Sequence, residues 1–214
     1  MNVTRYTVNK VIVGGARFLS TAMSPLLMPT YGALLVLWTS ILCTLPSGTR
    51  MTVLAVVLGI TGALPVIVIG LLDHYGIITN KRLINRRERL IPYAFSILCY
   101  IGATFYLQHI HAPQWFVMFM AGATLACLVS MVVNLWWKIS AHMTGIGGIV
   151  ALLYQIHVQG LSAFDYFWLL SITMLIAGIL GSARMIMRRH GLLQVVAGFI
   201  NGYFCVTLLM KLFG

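Results

Sequence analysis

The side chains best equipped for chemistry gather where apolar runs break off. Residues 184–194 read RMIMRRHGLLQ, with Arg184, five residues, His190, three residues, then Gln194. On a helix His190 and Gln194 are neighbours four apart, and Gly198 and Asn201 extend their stripe. Residues 138–148, KISAHMTGIGG, offer Lys138, Ser140 and His142 ahead of a glycine-rich helix start. Residues 81–92, KRLINRRERLIP, put Arg82, Arg86 and Arg89 on one face if helical, with Glu88 among them. Two imidazoles among arginines suit phosphoryl transfer. Arginine's planar fork grips two phosphate oxygens. One imidazole can attack phosphorus while the other protonates the leaving oxygen. Amides at a helix start, as near His142, add donors for the anion, and fixed positive groups favour the transition state.

Membrane helices must position these groups. The chain of 214 residues is 60% hydrophobic and 8% charged, against about 25% charged in soluble domains. Its net charge of +11 sets fourteen Lys and Arg against Asp73, Glu88 and Asp165. The basic residues lie between long apolar runs, which points to lipid headgroups and argues against nucleic acid as the partner. Apolar runs at about 25–45, 51–72, 92–108, 115–137, 142–158, 165–182 and 191–212 each approach bilayer-spanning length. Uninterrupted runs of this kind favour helices over a barrel. The expected fold is therefore an all-α polytopic transmembrane bundle with about seven hydrophobic segments. Two spans separate the first polar cluster from the second, and two separate the second from the third. All three then emerge on one membrane face and can converge.

Residues 1–24 carry Lys10, Gly14, Arg17, Thr21 and Ser24 at helical spacing, which predicts an amphipathic interfacial segment. No compact apolar core with a small-residue cleavage site follows the first residues, so a cleaved signal peptide is not expected. Pro65 is expected to kink its helix. Cys43, Cys99, Cys127 and Cys205 sit in apolar runs without a CxxC pair and read as small buried hydrophobes. His109 and His111 lack carboxylate or cysteine partners and fall on the opposite face, so no metal site is expected. Trp115, Trp136 and Trp137 read as interfacial anchors. Gly145, Gly147, Gly148, Gly198 and Gly202 read as close-packing positions, the last two forming a GxxxG.

The three clusters together resemble the type 2 phosphatidic acid phosphatase superfamily of membrane lipid phosphatases. That family carries Lys, six residues, Arg-Pro; then Pro-Ser-Gly-His; then Ser-Arg, five residues, His, three residues, Asp. Ala183-Arg184 through His190 to Gln194 aligns with the third motif without a gap. Ile139-Ser140-Ala141-His142 matches the second. Arg82, six residues and Arg89 match the first more loosely, with Pro92 two places late. The resemblance spans about residues 75–200 and implies a six-helix core within a phosphatase-like transmembrane domain over 25–214. It implies His190 as the nucleophile that becomes phosphorylated and His142 as the acid for the leaving oxygen. Arg184, Arg82 and Arg89 would clamp phosphate, with Ser140, Lys138 and nearby amides assisting. It implies no metal or cofactor, a phosphorylated lipid substrate, and a bacterial inner membrane as the setting.

Two departures stand out. Gln194 replaces the aspartate that would orient His190, and Ala141 replaces glycine. A glutamine oxygen can accept from the ring but brings no charge; in a serine protease the equivalent acid-to-amide change costs about 10⁴-fold. Glu88 is a candidate substitute acid. Three readings follow: a phosphatase, a non-catalytic binder or translocator of phosphorylated lipid, and a structural membrane subunit without a pocket. Every Lys and Arg except Arg50 and Lys211 falls on the site face, which the positive-inside rule makes cytoplasmic. Many bacterial relatives of the resembled family act on the other side, so sidedness stays open.

Overall fold

The structure is a computed structural model that describes residues 2–74 and 90–213. Its helices are α1 (Asn2–Ala22), α2 (Met28–Thr39), α3 (Ser47–Leu58), α4 (Leu64–His74), α5 (Leu90–His109), α6 (Gln114–Val133), α7 (Ala141–Val158), α8 (Tyr166–Ile186) and α9 (Leu192–Phe213). Among the described residues the only β feature is an isolated bridge between Ser40 and Ser162. Among the described residues seven helical stretches are long and apolar enough to cross a membrane. The chain is thus an all-α integral membrane bundle, as its hydropathy predicts. Its outer faces carry side chains such as Leu98, Phe105, Trp168, Leu175 and Phe204, all more than 60% exposed. Water would penalise such a surface, whereas hydrocarbon accepts it.

Segment ends depart from the predicted ones for local reasons. The first spanning stretch is Val11–Thr39, which joins half of α1 to α2 through the 3₁₀ turn Pro25–Leu27. Helix α2 stops at Thr39 because Ser40 takes over its end. The Ser40 hydroxyl donates to Val36 O at 2.6 Å and accepts from Leu42 N–H at 3.2 Å. The chain then pairs with residues after α7, Ile41 N–H donating to Leu161 O and Ala163 N–H to Thr39 O. The expected disturbance at Pro65 takes the form of a π turn, Gly59–Ala63, just before it. Leu64 N–H reaches back to Gly59 O, a wider loop that suits a proline whose ring would crowd a regular α-turn.

Helix α7 is the centre of the bundle. Some 67% of it is buried, against at most 39% for the apolar stretch of any other span. It is apolar on every side, as a central helix must be, and it packs on α9, α8, α6 and α2. The crossing with α9 is glycine-made. A Cβ on Gly202 would stand 1.8 Å from Thr144 O, one on Gly147 2.3 Å from Phe199 O, and one on Gly198 2.6 Å from Ser140 O. The expected close-packing role therefore holds for these three. Gly145 faces the Met28 side chain, with 2.4 Å for a Cβ. Trp115 departs from expectation. It is 7% exposed, tilted against Phe116 inside the core, whereas Trp136 is 70% exposed. Position 115 lies in the first turn of α6, where the inward face, not the chain end, decides the environment.

The bundle has two distinct ends. At one, Lys138 Nζ donates to Arg189 O at 2.8 Å, joining the second and third polar clusters. At the other, the Ser40–Ser162 bridge lies with the C-terminal turn of α7, whose Gln159 donates to Met210 O of α9. The parity argument is upheld for these two clusters.

Candidate functional site

The site begins where α8 ends. Arg184 sits in the last turn of α8. Beyond it, Arg188 N–H donates to Met185 O at 2.8 Å and Arg189 N–H to Arg184 O at 3.1 Å. Arg188 itself has φ +51°. These are the paired bonds and left-handed residue of a Schellman ending, with arginine where glycine is usual. Helix α5 ends the same way, with His111 at φ +53° and Ala112 N–H bonded to Leu107 O. His111 is thus a helix terminator. Among the described residues no cluster of three metal-ligating side chains exists.

The turn after Arg188 delivers His190, which is 9% exposed, and Gly191 to the start of α9. Gln194 then acts twice. Its Oε1 accepts from Gly191 N–H at 3.3 Å and meets His190 Nδ1 at 3.2 Å. The first contact is half of a capping box, a third-position glutamine reaching back to the residue before the helix. It also fixes the chemistry of the second. An N–H can bond only to the amide oxygen, so the atom facing His190 is an acceptor, and Nδ1 must carry the proton. In the neutral ring the lone pair then lies on Nε2. Sequence spacing finds the pair; the cap on Gly191 is invisible to it.

The second cluster is locked onto this turn. Ser140 N–H donates to Gln194 O at 3.2 Å, and Ser140 O caps the first turn of α7 by accepting from Thr144 N–H. Gly198 lets α9 approach that carbonyl. The Ser140 side chain is fully buried and lines neither cavity described below, and its Oγ has no partner among the described residues. Its visible part in the site is played by the backbone. His142, in the first turn of α7, places Nε2 3.0 Å from Ser20 O of α1. A carbonyl only accepts, so Nε2 carries the proton and Nδ1 is the ring's other functional nitrogen.

Two cavities meet at these side chains. One of about 390 Å³ runs into the bundle, with His142, Arg184 and His190 in its wall and otherwise mostly apolar residues. The other, of about 610 Å³, is cationic: Arg17, Lys138, Arg184, Arg188 and Arg189 line it together with His142, Ser20 and Thr21. His142 and Arg184 belong to both. The structure thus brings together His190, His142, Arg184, Lys138 and Gln194 among the expected site residues. Arg82, Glu88 and Arg89 lie outside the described residues; Pro92 and Tyr93, just after them, line the apolar cavity.

Sequence reasoning missed the contribution of α1. Arg17 and Thr21 stand on the polar stripe that marked this helix as amphipathic, but the stripe faces the cationic cavity, with Ser20 8% exposed beside them. Helix α1 packs along α8, so the residues before 24 form a wall of the site. The signal was present in Arg17 and Thr21 spacing; the Ser20 contact is made by a main-chain oxygen, on which side-chain identity is silent.

Comparison with protein-family models, with curated proteins and with solved structures finds no match to this chain.

Proposed function

We propose that the protein removes phosphate from a lipid phosphate or diphosphate at the membrane surface through a phosphohistidine. One observation carries this reading. A mostly apolar cavity and a strongly cationic one share His142 and Arg184, and His190 stands in the wall of the apolar one. A phosphorylated lipid has the same two-part chemistry, a hydrocarbon body joined to an anion. In this mechanism the Nε2 lone pair of His190 attacks phosphorus, an N–P bond forms, and the P–O bond to the lipid breaks. Arg184 and the neighbouring cations hold the equatorial oxygens, where charge is concentrated. His142, entering the cycle doubly protonated with Nε2–H held on Ser20 O, gives its Nδ1 proton to the leaving oxygen. The bared Nδ1 then takes a proton from the water that attacks phosphorus, breaks the N–P bond and releases inorganic phosphate.

The test is a panel of lipid phosphates and diphosphates offered to purified protein in micelles. Expected are phosphate release and an acid-labile, base-stable phosphoryl label, both lost in His190→Ala. In His142→Ala release falls on the order of a hundredfold or more, the usual worth of a placed proton donor. A second reading, a non-catalytic binder of phosphorylated lipid, is favoured by one feature: the residue behind His190 is an amide, Gln194, and not a carboxylate. Saturable binding with neither release nor label identifies that case.

A further inference from the structure

The 390 Å³ cavity makes a stronger statement about the substrate than the phosphate site does. Beyond the His142, Arg184 and His190 end, its wall is built from residues such as Leu26, Met28, Ile69, Phe119, Ile149 and Val206. Four of the polar side chains in that wall are held by the protein itself. Ser96 donates to Pro92 O at 2.8 Å and the Tyr100 hydroxyl to Pro25 O at 3.2 Å. Thr144 donates to Ser140 O, and Ser130 Oγ accepts from Asn201 Nδ2 at 3.0 Å. The chamber therefore asks a ligand for few hydrogen bonds along its length, and a mostly apolar cavity prefers hydrocarbon to water. At about 30 Å³ per methylene, close to the share of one water in the liquid, 390 Å³ takes on the order of a dozen carbons. That is the volume of one chain of this length and too little for two.

We propose that this cavity receives the single hydrocarbon chain of the substrate, so that the substrate class is a one-chain lipid phosphate or diphosphate, monoacyl or prenyl, and not a two-chain glycerophospholipid. The proposal rests on the phosphatase reading for the word substrate, but the chain site can be tested without turnover. The probes are linear alkyl phosphonates from methyl to about eighteen carbons, which hold a phosphoryl-like anion on a bond that is not hydrolysed. They are titrated calorimetrically into the full-length protein at fixed detergent, each below its micellar concentration. Affinity is expected to rise about three- to fourfold per methylene, then to stop rising near a dozen carbons, when the cavity is full. Partition into the micelle would go on rising with no break.

Ala123 lines the same wall, and Ala123→Leu should bring the break earlier by a few carbons. A dialkyl phosphate should bind no better than the matched single chain. The break in the wild-type protein stands by itself if the variant does not fold. Affinity that ignores chain length, a rise with no break, or dialkyl binding tighter than monoalkyl overturns the chain site. Phosphate release from p-nitrophenyl phosphate, which has no alkyl chain, reports separately on the phosphatase reading. Release without a break sinks the chain site alone, and a break without release from any substrate leaves the chain site standing while the phosphatase reading falls.

Discussion

At the scale of single residues, the decisive side chain is Gln194. An amide behind the general-base histidine of a serine protease is damaging chiefly because it leaves the ring in the wrong tautomer. Here Gly191 N–H takes the same oxygen that faces His190 Nδ1, so the amide cannot turn its NH₂ towards the ring without losing its cap. The tautomer is therefore right, and what glutamine lacks is only charge. This separates three substitutions. Gln194→Glu keeps the reach and the cap and adds charge, and charge-assisted bonds are about twice as strong as neutral ones; turnover should rise about tenfold. Gln194→Asp is one methylene shorter and should gain less, because it cannot serve the ring and Gly191 N–H together. Gln194→Ala removes both bonds, costing about 1 kcal/mol of stability as a lost cap does and on the order of a hundredfold in turnover. Rates for the three variants, with thermal unfolding in detergent, check the order Glu, Asp, Ala. An Asp variant faster than Glu would mean that the cap does not govern His190.

At the scale of elements, the site is assembled by a helix crossing. Gly202, Gly147 and Gly198 bring α9 against the backbone of α7, and that contact sets the distance between the Ser140–His142 segment and the His190–Gln194 turn. Gly202→Ala would push a Cβ into Thr144 O, a backbone atom that cannot swing away, and overpacking of this sort costs about 1–3 kcal/mol. Gly198→Ala presses on Ser140 O itself. On the proposed mechanism it should lower kcat more than it raises KM, because it would move His142 relative to His190 while leaving Arg17 and Arg188 in the cationic cavity. Gly178→Ala is the control, since a Cβ there meets nothing within 4 Å and alanine is the better helix former. Unfolding midpoints and steady-state kinetics of the three variants decide it; equal tolerance at 178 and 202 would remove the crossing from the argument. Much of this level was legible in the sequence. Seven spans follow from hydropathy alone, and glycine spacing announced the close contact of α7 and α9. Helix ends were not legible, because Ser40, the π turn before Pro65 and the Schellman turn at Arg188 are settled by backbone bonds. Nor was the closing of the site by α1, whose link to His142 is a carbonyl oxygen of Ser20.

At the scale of the whole molecule, charge and topology together predict an orientation. The joined second and third clusters and the wall from α1 occupy one end, while residues 39–41, 161–163 and the end of α9 occupy the other. Among the described residues the spans number seven, and that odd count puts the N-terminal wall and the end of α9 on opposite faces. Among the described basic residues only Arg50 and Lys211 fall at the end away from the site. Arg50 stacks over the Trp38 ring at 5.1 Å, a contact that suits a lone cation at an interface. Site residues inflate the basic count on their own face, since phosphate binding also selects arginine. Arg5 and Lys10 belong to no motif, however, and lie on the same side of the first span. The positive-inside rule weighs Lys and Arg near span ends, so the site should face the cytoplasm and residue 214 the far side. A reporter fused after residue 214 reads this directly. Alkaline phosphatase, active only outside, should be active there, and a green fluorescent protein fusion, which folds inside, should be dark. The reverse pattern would turn the molecule over, and the basic bias would then record the ligand of the cationic cavity and not the insertion of the chain.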